Sequence, residues 1–315
     1  MTLKQITQKY LFYFFIGMVL FFGVLVRFQD LGYSDFQGDE INAIKYLGTI
    51  NGKNPDFKVF YDFLLNQKRG PGQYVINYIN TSTLGFVSEF QIRFPFFVFS
   101  VLAFFSIYLF TKKIFNERKT ALIASAFLAL NGLYLAFGRI TQYQSFMYFL
   151  IPLSLYIYLK GFGKKDYRVV ALSGFMLSIC LLTHYDTLSV GAFFAGFIVY
   201  NLYTKPRNYK FIILSSLVFL VWFLIPSLAF YSQFIRGAYY EENTSGYLTG
   251  RLFGFGLMPR TPYVELGRLL NLYMPAEAWI ISFFSVCFGL LFLIKNVAMF
   301  TFFKVELSLK HMQAL

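Results

Sequence analysis

The sequence predicts an all-α, polytopic membrane protein with about eight transmembrane helices. Three observations carry that expectation. Of 315 residues, 57% are hydrophobic and 22% aromatic against 14% charged, and the mean hydropathy is +0.55. A soluble domain of this size needs far more charge to cover its surface. The apolar residues gather into runs of roughly 17–22, the length that crosses a hydrocarbon core as a helix. Finally, the cations crowd the short connections between those runs.

The first run, residues 10–28, follows Lys4 and Lys9. It is longer than a signal-peptide core and no small-residue cleavage site follows it, so a retained first helix is expected. Further spans are expected at residues 94–110, 120–137, 143–159, 169–183, 188–203, 211–231 and 278–294. Lys112, Lys113, Arg118 and Lys119 follow the second span, and Lys160, Lys164, Lys165 and Arg168 follow the fourth. Lys205, Arg207 and Lys210 separate the sixth from the seventh. All lie on the side of the N-terminus, which the positive-inside rule makes cytoplasmic. The net charge of +13 is therefore a topology signal, and no nucleic-acid partner is expected. Cys180 and Cys287 sit inside apolar runs and read as packing residues.

Residues 1–315 read as one transmembrane domain whose acids concentrate in two long outer loops, 30–92 and 232–277. Loops of that length are commonly functional. In the first, residues 40–50 place Ile41, Ile44 and Leu47 on one helical stripe, and residues 73–86 do the same with Val75, Ile76, Ile79 and Leu84. Both are expected to be amphipathic helices on the membrane surface, with a turn at Asn51-Gly52-Lys53-Asn54-Pro55 between them. Gly161-Phe162-Gly163 and Gly254-Phe255-Gly256 meet neither nucleotide fingerprint and read as turns. No internal repeat is visible, and no proposed span carries an ionisable residue near its middle. Both observations count against transport.

Chemistry is expected at the outer surface. Gly38-Asp39-Glu40 lies about ten residues beyond the first span. Two adjacent carboxylates there are either solvated loop charges or a general base with a supporting neighbour. Adjacent residues do not face one another on a helix, so the pair is badly placed to straddle a glycosidic bond. Arg93 opens the second span; Arg139, with Gln142 and Tyr143, lies between the third and fourth. Such arginines either snorkel to headgroups or grip a phosphate with their planar fork. His184 is expected at the outer mouth of the fifth span, as a hydrogen-bonded interfacial residue or part of a pocket wall. The second outer loop carries Arg236, Glu241, Glu242, Arg251, Arg260 and Arg268 without a motif. No His/Asp/Glu cluster has ligand spacing, so no metal or other cofactor is expected.

Over residues 11–203 the chain resembles the GT-C membrane glycosyltransferases, of the protein-mannosyltransferase and aminoarabinose-transferase type. The resemblance rests on Asp39-Glu40 after the first helix, Gly70-Pro71-Gly72-Gln73-Tyr74, Ser88-Glu89 with Arg93-Phe94-Pro95, Gly138-Arg139 with Tyr143, and Leu182-Thr183-His184-Tyr185. It implies a sugar donor linked to polyprenyl phosphate and an inverting single displacement on the extracytoplasmic face of a bacterial plasma membrane. The acceptor would be a hydroxyl of a glycan, lipid or protein. Asp39 would be the base and Glu40 its support. Arg93 and Arg139 would bind donor phosphate or form structural ion pairs, and Tyr143 and His184 would line the donor pocket. Two departures stand out. The family's His-Pro-Pro is here Gly70-Pro71-Gly72, and the chain stops soon after its eighth expected span, as a short or truncated member would. A lipid-linked-oligosaccharide flippase and a noncatalytic family remnant are the alternatives.

Overall fold

The computed structural model describes residues 3–32, 35–36, 39–46, 56–67, 70–84, 88–204 and 208–237. These all lie in a compact unit, Met1–Met258; a second unit, Pro259–Leu315, falls outside the described residues, as do the eighth expected span and the turn at 51–55. Among the described residues the fold is helical without strands. Four helices are long and apolar enough to cross a bilayer: α1 (Leu3–Phe28, apolar over Tyr10–Phe28), α5 (Glu89–Phe115), α8 (Tyr143–Lys164) and α11 (Tyr209–Phe234). A shorter apolar helix, α9 (Tyr167–Thr183), lies between α8 and α11. Large apolar side chains such as Phe14, Val199 and Ile225 cover the outside, as in a protein whose solvent is lipid.

Two expected spans are built differently. Residues 120–137 form α6 (Arg118–Leu130) and α7 (Gly132–Phe137), broken at Asn131. Asn131 leaves the helical conformation and its side chain accepts the Tyr134 amide at 2.8 Å, so one residue ends α6 and caps α7. Alone, the 13 residues of α6 rise only about 20 Å, short of a hydrocarbon core. Residues 188–203 begin as a 3-10 turn, Tyr185–Val190, and become α10 only at Gly191–Thr204. The His184 side chain nucleates that turn by accepting the Asp186 amide.

The Gly161-Phe162-Gly163 turn is also corrected, because those residues form the last turn of α8. Gly161 is small for contact: a Cβ there would sit 2.9 Å from the Val170 amide of α9. The reversal comes at Lys165, in the left-handed region with φ 55°, and Asp166 caps α9 by accepting the Arg168 amide at 2.9 Å.

The long helices pack in series, α6 on α5, α5 on α8, α8 on α9 and α9 on α11, with α1 against α6. Serines join them where apolar contact alone would not discriminate protein from lipid. Ser154 and Ser173 each donate to the other's carbonyl, at 2.9 and 2.8 Å, and Ser178 meets Ser227 at 2.6 Å. Such bonds contribute about 0.6 kcal/mol each within membranes, so they set register more than stability. Phe146, Leu155, Tyr158, Leu177, Phe194 and Phe219 fill the core between these helices, with Cys180 among them as the packing residue expected.

The loop after α1 holds one more helix than expected. The stripe at 40–50 is helical over α2 (Asp39–Ile44), and α4 (Gly72–Leu84) corresponds to the stripe at 73–86. Between them lies α3 (Phe57–Leu65), where no helix is expected from the sequence. Phe60 of α3 stacks on Tyr78 of α4, centroids 4.1 Å apart, and packs beside Tyr46, whose phenol burial pushes up to about 12. A proline explains how α4 is tied to α5. Pro95 has no N–H, so the Gln91 carbonyl four residues earlier loses its helical donor. The Asn80 side chain of α4 supplies the replacement at 2.6 Å.

Candidate active site

The expected site residues gather at the end of the bundle where α1 and α9 finish and α5 and α8 begin. Asp39 is the first residue of α2, and its side chain lies outside the described residues. Glu40 is 1% exposed and Arg93 is 3% exposed, a depth that only a well-paired charge tolerates. Arg93 Nε and Nη2 donate to the two Glu40 oxygens, each at 2.9 Å. The Thr141 amide adds a third donor to Glu40 Oε1, also at 2.9 Å. Arg93 further donates to the carbonyls of Leu31 at 3.0 Å and Asp35 at 3.2 Å, with the Phe36 ring 5.4 Å away.

One ion pair thus joins four pieces of chain: the segment leaving α1, the first turn of α2, α5, and the connection between α7 and α8. Gln73 reinforces it by donating to the Thr141 carbonyl at 2.9 Å, and Asn77 holds α2 through the Ala43 carbonyl at 3.1 Å. Thr141 and Asn77 were not singled out in the sequence, and Gln73 only as part of the Gly70–Tyr74 motif. They are uncharged residues whose role comes from long-range backbone contacts that no local pattern encodes.

Arg139 is half-buried and donates through Nη2 to the Gln29 carbonyl at 2.8 Å. Gly138 before it has no room for a side chain, because a Cβ would fall 2.5 Å from Ser100 Oγ and 3.3 Å from Arg27 Nε. Arg27 is the most consequential residue missing from the sequence expectation. It is fully buried near the end of α1, donating to the carbonyls of Gly23 at 2.8 Å and Ala129 at 2.9 Å. Its guanidinium lies 4.9 Å from the Phe104 ring centre and 5.1 Å from that of Tyr134. The Ala129 carbonyl is one that the break at Asn131 strips of a helical donor. The cation therefore stabilises the interrupted helix, in a site whose aromatic faces also favour it. Its place just inside an apolar run was the available signal.

Tyr143 and His184, expected to share a pocket wall, are in contact. Their rings stack with centroids 3.9 Å apart and planes inclined by 2°. Asp186, which is exposed, accepts the Tyr143 hydroxyl at 3.3 Å and donates its amide to His184 Nδ1 at 3.1 Å. The carboxylate of Asp186 lies 3.1 Å from the same nitrogen, so the backbone and side chain of one residue both face His184 Nδ1. Thr187 then bonds the His184 carbonyl at 2.9 Å and opens a cavity of about 420 Å³ lined by Leu188, Gly191, Ala195, Leu217 and Phe223. Its lining is almost entirely apolar, and it runs between α10 and α11.

The glycines of Gly70-Pro71-Gly72 also acquire a reason. A Cβ on Gly70 would overlap the Leu182 carbonyl, and one on Gly72 would overlap Thr183, both at the end of α9. The start of α4 lies directly against the chain that delivers His184.

Residues 68–230, more than half of the chain, match the family described as dolichyl-phosphate-mannose-protein mannosyltransferase. The chain belongs to this family. It is therefore a membrane glycosyltransferase of the GT-C type. Membership in the mannosyltransferase family implies, in general terms, a lipid-linked sugar donor and a glycan or protein acceptor. A search of curated proteins finds no match. The family match spans α4 to α11 and so includes Arg93, Arg139, Tyr143 and His184, while Asp39 and Glu40 precede it.

Proposed function

We propose that this glycosyltransferase moves a sugar from a polyprenyl phosphate to an acceptor hydroxyl by single displacement with inversion, Asp39 serving as general base. The acceptor oxygen attacks the anomeric carbon while its proton passes to the Asp39 carboxylate. The bond from that carbon to the phosphate oxygen breaks, and polyprenyl phosphate leaves with the electron pair. Arg139 neutralises the leaving phosphate, where a planar fork matches its oxygens. Tyr143 and His184 wall the donor pocket, and the apolar cavity beginning at Thr187 takes the first prenyl units. The acidic end is the extracytoplasmic one, since the basic connections lie at the other.

The observation carrying this reading is the Glu40 clamp. With both oxygens accepting N–H groups, Glu40 is poorly suited to take a further proton. It fixes the backbone beside Asp39 to α5 and to the connection bearing Arg139. Glu40 and Arg93 act as positioning residues, holding the base within the sub-ångström tolerance that proton transfer demands. The test is transfer in membranes supplied with a panel of polyprenyl-phosphate sugars. Asp39→Asn is expected to abolish transfer while the protein inserts and melts as the wild type does. Full transfer by that variant removes Asp39 from the mechanism.

A further inference from the structure

The opposite end of the bundle carries a groove that sugar transfer does not use. It lies between α9 and α11, has a volume of about 550 Å³, and beside Tyr167 its lining comprises Arg168, Ala171, Leu172, Phe175, Val218 and Trp222. Arg168, Ala171, Leu172 and Phe175 recur at helical spacing and so form one stripe, about 10 Å long, from a guanidinium to an aromatic ring. Arg168 is exposed in the first turn of α9, about 24 Å along the helix from His184. Leu172, Phe175 and Trp222 remain between 38% and 49% exposed, so no described side chain fills the groove.

Cations outnumber acids at its mouth. Lys164 and Lys165 close the turn before α9, and Lys113 Nζ lies 3.9 Å from where a Cβ of Gly163 would be. Lys210 sits at the same level, because the neighbouring Phe211 ring lies 5.4 Å from that of Tyr167. The nearest acid in the chain, Asp166, turns one carboxylate oxygen onto the Arg168 and Val169 amides. Among the described residues the Arg168 side chain takes part in no ion pair.

We propose that this groove is a binding site for one anionic phospholipid, its phosphate on Arg168 and an acyl chain along Ala171, Phe175 and Trp222. Charge alone would draw anionic lipid loosely to every lysine at this end. The groove adds a place for the chain, and the guanidinium adds a fork matched to phosphate. A zwitterionic lipid fits the groove equally but brings its own cation to the cluster.

The test uses the full chain in nanodiscs of equal phosphatidylglycerol and phosphatidylcholine, extracted into mild detergent and weighed by native mass spectrometry. The wild type is expected to retain one phosphatidylglycerol. Arg168→Gln, an exposed site unconnected with folding, is expected to lower that occupancy about tenfold, as losing a charge-assisted fork does. Ala171→Trp, which fills the groove, is expected to abolish retention. Lys164→Gln with Lys165→Gln is expected to lower it less than Arg168→Gln does. Undiminished retention by Arg168→Gln overturns the proposal. So does equal loss from the lysine pair, which would mean diffuse attraction, or retention of an added polyprenyl phosphate in preference to phosphatidylglycerol.

Discussion

Removing Arg93 tests the clamp most directly. Arg93→Met keeps much of the side-chain volume and, among the described residues, deletes two hydrogen bonds to Glu40 and one each to the carbonyls of Leu31 and Asp35. Glu40, 1% exposed, is then left as a buried carboxylate with the Thr141 amide but without its cation. Breaking a buried pair from one side costs about 3–5 kcal/mol, far more than the pair is worth against an apolar replacement. In a domain of this size each kcal/mol lowers the melting temperature by about 2–4 °C, so a fall of roughly 6–20 °C is expected. Thermal unfolding in detergent, followed by size-exclusion chromatography of heated samples, reads that shift. The double variant Arg93→Met, Glu40→Leu removes the stranded charge and should regain a large part of it. It should regain no transfer, because the start of α2 is no longer fastened to the Thr141 connection. A melting point of the single variant within about 2 °C of wild type would show that the pair is not a clamp, and the positioning argument would fail with it.

Two other predictions concern single contacts. Asn80→Ala should cost about 1–3 kcal/mol, because the Gln91 carbonyl that Pro95 leaves without a donor loses its replacement. In a Pro95→Ala background the same change should cost much less, and additive losses in thermal unfolding would refute the link. Arg139→Lys keeps the charge but loses the fork, so KM for the lipid-linked donor should rise several-fold, with stability unchanged to within about 1 kcal/mol. An unchanged KM would remove Arg139 from the donor site.

The membrane fold was legible because it rests on run length and charge placement, both local properties. The starts of α8 and α9 fall within two residues of the expected spans, whereas α5 runs five residues past its span at each end. The break at Asn131 was missed although Asn131-Gly132 is a turn signal, because the apolar run continues across it and hydropathy alone does not register a cap. Helix α3 was missed because its aromatic face has meaning only against α4 and Tyr46. In the site, the charged and aromatic residues could be named from the sequence, but their partnerships could not. Glu40 and Arg93 are 53 positions apart, and Glu40 and Thr141 are 101 apart. Nothing in either neighbourhood encodes the other. The role of Arg27 was not legible either, because its Ala129 carbonyl partner is freed only by the break at Asn131.

The glycine at position 70 invites a change that family resemblance and local geometry judge in opposite ways. The family's His-Pro-Pro makes Gly70→His look like the recovery of a lost functional group. The packing here argues otherwise: even a Cβ at this position overlaps the Leu182 carbonyl, and Tyr231 Oη lies 2.8 Å from the same point. Tyr231 itself donates to the Leu181 carbonyl at 2.7 Å, so neither neighbour can yield without disturbing the end of α9. A histidine would push α4 away from α9, and with it Gln73, whose bond to the Thr141 carbonyl supports the Glu40 clamp. The same movement would disturb Thr183 and the ring stack of His184 on Tyr143. Gly70→His should therefore lower transfer at least tenfold and lower the melting temperature, overpacking of this kind costing about 1–3 kcal/mol. Gly70→Ala, which adds the Cβ alone, should already produce most of the thermal loss if backbone overlap is the cause. Higher transfer in the histidine variant would mean that α4 can stand off from α9, and that the active geometry is the wider one.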